Sequence, residues 1–93
     1  MAGTKFEAGT QVRIRCDVQP GPFSGEQLVT VETVDGAISG FVRDSELNRI
    51  GEQWLVRGIV KAHSEGRLDV WIRGSFLTTN GLAHVQPELA MAA

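Results

Sequence analysis

Residues 27–43, QLVTVETVDGAISGFVR, decide how this chain folds. Apolar and polar residues alternate on both sides of Asp35-Gly36, a pair that suits a type I′ turn because both central positions need positive φ. Setting Val34 opposite Ala37 brings Thr33 against Ile38, Val31 against Gly40 and Val29 against Val42. The valines and isoleucine then share a core face, while Leu28, Thr30, Glu32, Ser39 and Arg43 take the other side, with Phe41 as the apolar exception among them.

The same period of two continues on either side of this hairpin. Residues 12–16, VRIRC, read as a half-buried strand with Arg13 and Arg15 toward water. The prolines and glycines of residues 17–25, DVQPGPFSG, read as a long loop around Phe23. Residues 44–47 carry a capping-type aspartate and a single short turn, and residues 48–53 read as a link. Residues 54–62 and 67–73 form a second pair about Ser64-Glu65-Gly66, a three-residue loop with glycine in the left-handed position. With His63 opposite Arg67, the core side is Ala62–Leu68, Val60–Val70 and Gly58–Ile72. The water side is Lys61–Asp69, Ile59–Trp71 and Arg57–Arg73. Asn80-Gly81 is a second type I′ signal between residues 76–79 and 82–85, which sets His84 opposite Leu77. Residues 87–93 suit at most a short terminal helical turn.

Six short strands joined by glycine turns imply an all-β domain of antiparallel hairpins. A sheet this small curls into a barrel because an open one would leave its edges unpaired. Ninety-three residues make one domain, residues 1–93, with 1–8 and 90–93 expected as flexible ends.

Residues 34–47, VDGAISGFVRDSEL, resemble the ending of a bacterial-type Src-homology-3 domain: a distal hairpin, a Gly-aromatic-Val strand and a short turn closing on leucine. Residues 9–14, GTQVRI, are similar to the first strand of such barrels. The resemblance spans about residues 9–50 and implies a small Src-homology-3-like barrel, while fold alone assigns no function. The family's strand of paired tryptophans is missing from this stretch, and some forty residues follow it. Gly81-Leu82-Ala83 with Glu88-Leu89 echoes Gly40-Phe41-Val42 with Glu46-Leu47, which reads either as two half-barrels or as chance.

Nine Lys and Arg against eleven Asp and Glu give a net charge of −2, with no block of like charge. Bulk charge therefore disfavours nucleic acid, although Arg13, Arg15, Arg57 and Arg73 recur within strands. Cys16 is the one cysteine, so an intrachain disulfide and a thiolate zinc cluster are excluded. The chain shows no signal-like apolar run and no span of membrane length, which points to the cytoplasm and to no membrane partner. His63, His84 and Cys16 stand at no spacing that joins a nucleophile to a base. The expectation is a protein that is not an enzyme and uses neither cofactor nor metal.

The binding residues singled out are Arg57, Ile59, Trp71 and Arg73. Large apolar area is seldom needed on a water-facing strand side, and tryptophan and arginine are enriched in binding hot spots. Coverage of Trp71 by Leu89 and Met91, or by Phe6, is the competing reading, and a homodimer contact satisfies the same residues. The reading is a non-catalytic module that binds a protein or peptide. The alternatives are RNA or single-stranded DNA binding, with Trp71 stacking and arginines on phosphates, and an accessory subunit of a larger enzyme.

Overall fold

Val12, Ile14 and Cys16 alternate with polar neighbours and are buried in β1 (Gln11–Pro20), the first strand of a single antiparallel sheet. The structure is a computed structural model that describes residues 6–64, 66–76 and 81–92. β1 runs beyond residue 16 because β2 (Glu26–Thr33) pairs with its second half, from Asp17 opposite Thr30 to Pro20 opposite Gln27. The expected loop is thereby shortened to residues 21–25.

β2 and β3 (Gly36–Arg43) form the hairpin that the central stretch predicts, in a different register. Val31 lies opposite Ile38 and Val29 opposite Gly40. Among the described residues only glycines take positive φ, Gly36 at +113°, so Asp35 cannot serve a type I′ turn. The turn spans Val34 and Asp35 instead. Thr33 clamps it, its hydroxyl donating to the Gly36 carbonyl and accepting the Asp35 N–H. Each residue's partner moves by two places, which keeps the core face that the alternation sets.

A 3₁₀ turn, η1 (Asp44–Glu46), leads into β4 (Leu47–Ile50), which pairs with β5 (Gln53–Ser64) where a link was expected. β5 and β6 (Arg67–Ile72) follow the expected register from Gly58–Ile72 to Val60–Val70. A bulge between Val60 and Ala62 then places Asp69 opposite Ala62, and His63 opposite Leu68. The extra residue takes Lys61 out of the ladder, so the expected Lys61–Asp69 pairing does not form. The Asp69 carboxylate lies instead 3.1 Å from Arg67 Nε and 2.5 Å from His84 Nδ1.

β7 (Ser75–Phe76) crosses to β3, while β8 (Leu82–Val85) pairs with β6 and sets His84 opposite Asp69. The expected partner Leu77, and Asn80 of the second hairpin turn, lie outside the described residues. The terminal turn is the three-residue η2 (Pro87–Leu89). Residues 90–92 then form β9 (Ala90–Ala92) along β1.

The strand order is β7-β3-β2-β1-β5-β6-β8, with β4 on β5 and β9 on β1. β7 follows β6 closely in the chain yet sits at the far end of this order, and the Val34 N–H donates to the His84 carbonyl at 2.8 Å, so the sheet curls into a half-barrel. The crossing needs Gly40, where a Cβ would lie 2.5 Å from the Ser75 carbonyl oxygen and 2.7 Å from Phe76 Cγ. Inside the curl pack Val12, Ile14, Val29, Val31, Val56, Leu68, Val70 and Ile72, all fully buried and each contributing roughly 1.5–3 kcal/mol. Among the described residues no helix is long and apolar enough to cross a membrane.

The order from β3 to β8 is symmetric about the β1–β5 pair. The row Val18–Val29–Gly40 in one half matches Val60–Val70–Ala83 in the other. Each half ends in a strand, a 3₁₀ turn and a last strand laid on the opposite half. The central row Leu47–Val56–Ile14–Ala90 carries an approximate two-fold between Val56 and Ile14. The two-fold sets Gly40 against Ala83 and Leu47 against Ala90, so the echo of Gly81 with Gly40 and of Leu89 with Leu47 seen in the sequence is out of register with it.

Candidate functional site

The edge of β5 changes partner at Arg57. Val56 pairs with Leu47 of β4 and Gly58 pairs with Ile72 of β6, and Arg57 stands in the gap between the two neighbours. A recess of about 140 Å³ opens there, lined by Gln11, Glu46, Arg57, Gly58, Ile59, Trp71 and Arg73. On the core side of the strand a Cβ on Gly58 would meet the buried Val70 Cγ1 at 2.4 Å, so glycine there makes room for that valine. The structure thus gathers all four residues singled out from sequence around one recess.

On the outer face Gln11, Ile59, Trp71 and Leu82 form one row across β1, β5, β6 and β8. Trp71 is half-buried: its indole lies over the backbone of Gly81, where a Cβ would come 3.1 Å from Nε1. The Arg73 guanidinium is 5.9 Å from the ring centroid, within cation–π range. Neither Phe6 nor Met91 lines the recess. Phe6 is buried in the core, Met91 lies on β9 opposite Arg13, and η2 leaves β8 from the Val85–Leu68 end, away from the Trp71–Leu82 row.

Arg57 faces Arg13 directly across the β1–β5 ladder. Like charges directly opposed are unfavourable, and among the described residues no carboxylate lies within 4.0 Å of Arg13, Arg57 or Arg73. Arg15, next along β1, is exposed. Glu46 at the lip is the acidic group lining the recess. The site therefore combines an apolar floor with excess positive charge on a chain whose net charge is negative.

The other half supplies an internal control. Its matching row is Asp17–Thr30–Ser39 where the recess has Ile59–Trp71–Leu82, and the Thr30 and Ser39 hydroxyls bond to each other at 2.9 Å. The same strand geometry is thus built with small polar residues. Sequence reasoning missed Gln11 and Glu46 and named Arg13 only for the nucleic-acid alternative, because these residues reach the site through the pairing of β1 with β5 and the placement of η1.

Cys16 is buried, and burial first, then the charge of Asp17, pushes its thiol up to about 12, which removes thiolate character at neutral pH. His63 is exposed, and His84 is held by Asp69. Among the described residues no three His, Cys, Asp or Glu side chains group as a metal site. Phe23, in the loop between β1 and β2, has 68% exposure. In β7 Phe76 is buried, and residues 77–80 lie outside the described residues. Comparison with protein-family models, with curated proteins and with solved structures returned no match for this chain.

Proposed function

We propose that this protein is a non-catalytic interaction module that binds a protein or peptide through the recess of Arg57, Ile59, Trp71 and Arg73. The observation that carries this reading is the contrast between halves. Ile59, Trp71 and Leu82 occupy outer-face positions that Asp17, Thr30 and Ser39 fill in the other half without loss of the strand pairing. Apolar area that folding does not require is apolar area available to a partner. A hairpin followed by a 3₁₀ turn and a further strand supports a Src-homology-3-like barrel. The single buried thiol suits a reducing cytoplasm.

The test is selection of random displayed peptides on the folded protein, followed by affinity measurement on two variants. Trp71→Ala weakens the selected peptides at least about tenfold, or ~1.4 kcal/mol, as removal of a buried aromatic anchor does. Thr30→Ala, in the matching row, leaves them bound. Equal affinity for wild type and Trp71→Ala would overturn the assignment.

A second reading, binding of RNA or single-stranded DNA, is favoured by Arg13 opposite Arg57 with Arg73 over the Trp71 ring. Phosphate contacts would show as a steep fall in affinity with added salt, whereas an apolar peptide anchor is nearly insensitive to it.

A further inference from the structure

The Trp71 recess does not end at Arg73. A second, larger hollow lies beside it, lined by Glu26, Phe41, Arg43 and Ser75, and it shares Arg73 and Glu46 with the first. Two shared wall residues set the hollows side by side along one stretch of surface, the groove. Trp71 on β6 lines one hollow and Phe41 on β3 the other, and Arg73 lines both. The groove exists because the chain leaves β6 after Ile72 and crosses to β3, which holds the ends of two otherwise separate strands side by side.

We propose that this groove holds an extended peptide carrying an acidic side chain between two apolar ones, a deepening that rests on the interaction-module reading above. Charge complementarity identifies the occupant. Arg57, Arg73 and Arg43 line the groove, and among the described residues none has a carboxylate within 4.0 Å. An acidic side chain entering at Arg73 supplies that missing partner in a charge-assisted pair. In an extended chain alternate side chains point to one face, so the pattern is apolar-x-acidic-x-apolar, the outer residues at Trp71 and Phe41 and the acid at Arg73. The carboxylates of Glu46 and Glu26 along the same walls repel a continuous phosphate backbone, which favours a peptide with one acid over a nucleic acid.

The experiment is an array of nonapeptides with Leu, Phe or Met at the two outer positions and Glu, Asp, Ser or Lys at the centre. It is probed with wild type, Trp71→Ala, Phe41→Ser and Arg73→Glu, each shown folded by circular dichroism, and a labelled oligo-dT serves as the nucleic-acid probe. Wild type is expected to prefer central Glu or Asp over Lys by about tenfold or more. Phe41→Ser lowers binding through one outer position, and Arg73→Glu reverses the central preference toward Lys, a change that mere structural damage does not produce. Loss with Trp71→Ala but full retention by Phe41→Ser and Arg73→Glu would overturn the groove while leaving the recess. Retention by Trp71→Ala, or binding of oligo-dT alone with steep salt dependence, would overturn both.

Discussion

The two halves of this molecule share a backbone plan and differ in where they put chemistry. On the outer face of the first half, Leu28 opposite Phe41 is the apolar pair and Thr30 opposite Ser39 the polar one. In the second half the order is reversed: Asp69 opposite His84 is polar, and Trp71 opposite Leu82 is apolar. The inner rows do not vary in this way, since Val29 and Val70, or Val42 and Val85, are buried alike. Core positions answer to packing in a curled sheet and converge on valine, whereas outer positions are released to carry a site. Leu28–Phe41 and Trp71–Leu82 therefore belong to different ends of the surface, and the groove between β6 and β3 connects Trp71 with Phe41.

The comparison breaks most visibly at its centre. Ile14 and Val56 face each other on the approximate two-fold and are both fully buried. Ile14→Ala and Val56→Ala are each expected to lower unfolding free energy by about 2–4 kcal/mol in urea titrations. Because the two side chains are direct neighbours, the double variant should depart from the sum by roughly 0.5 kcal/mol or more. Strict additivity would mean that the halves are energetically independent at this row.

A smaller effect is expected where the halves differ across the β1–β5 ladder. Gly58→Ala drives a methyl toward Val70 Cγ1 and should destabilise by roughly 1–3 kcal/mol through overpacking. In the first half Cys16 holds the corresponding place without a clash, one row from Asp17 as Gly58 is one row from Ile59. A Gly58→Ala protein of unchanged thermal midpoint would show that Val70 can give way at this point and that the core there is not tightly packed.

The smallest effect is a pH dependence confined to the first half. The Cys16 thiol is raised from an ordinary value of 9.0 to about 12, first by burial and then by Asp17. A raised folded-state value favours the protonated form in the native protein. Its stabilising contribution is complete below pH 9 and is lost as pH climbs through the interval up to 12. At pH 10 the loss is on the order of 1 kcal/mol relative to pH 8, and Cys16→Ala should abolish that part of the slope. An identical slope in wild type and Cys16→Ala would place the alkaline sensitivity elsewhere.

Much of this was legible in the chain because alternation reports burial directly. Val29, Val31 and Val42, then Val60, Val70 and Ile72, face inward as their period of two requires. The pairing of Ile59 with Trp71 was reached through two errors that cancel: Ser64 pairs with Arg67 instead of belonging to a three-residue loop, and the bulge at Lys61 restores the expected register beyond it. Lys61 and Asp69 were misplaced because the ladder runs on to Ser64–Arg67, one residue off the expected register, and Lys61 then bulges out, which no local residue type announces. The Asp35-Gly36 turn was misjudged for a related reason: the dipeptide permits a type I′ turn, but the Thr33 hydroxyl favours the alternative by satisfying both Gly36 and Asp35.

The sequence by itself determined an all-β chain, which side of each main strand is buried, and that Ile59 and Trp71 both lie on the side away from the core. Those properties follow from hydrophobic period and short-range turn chemistry, which act within about a dozen residues. Only the tertiary structure decided that β1 pairs with β5, that Arg13 therefore faces Arg57, and that Glu46 and Phe41 come to the same groove as Trp71. These contacts join residues far apart in the chain, and many registers satisfy the same alternation. The choice falls to the one arrangement in which both halves bury their valines together and each last strand finds an edge to pair with.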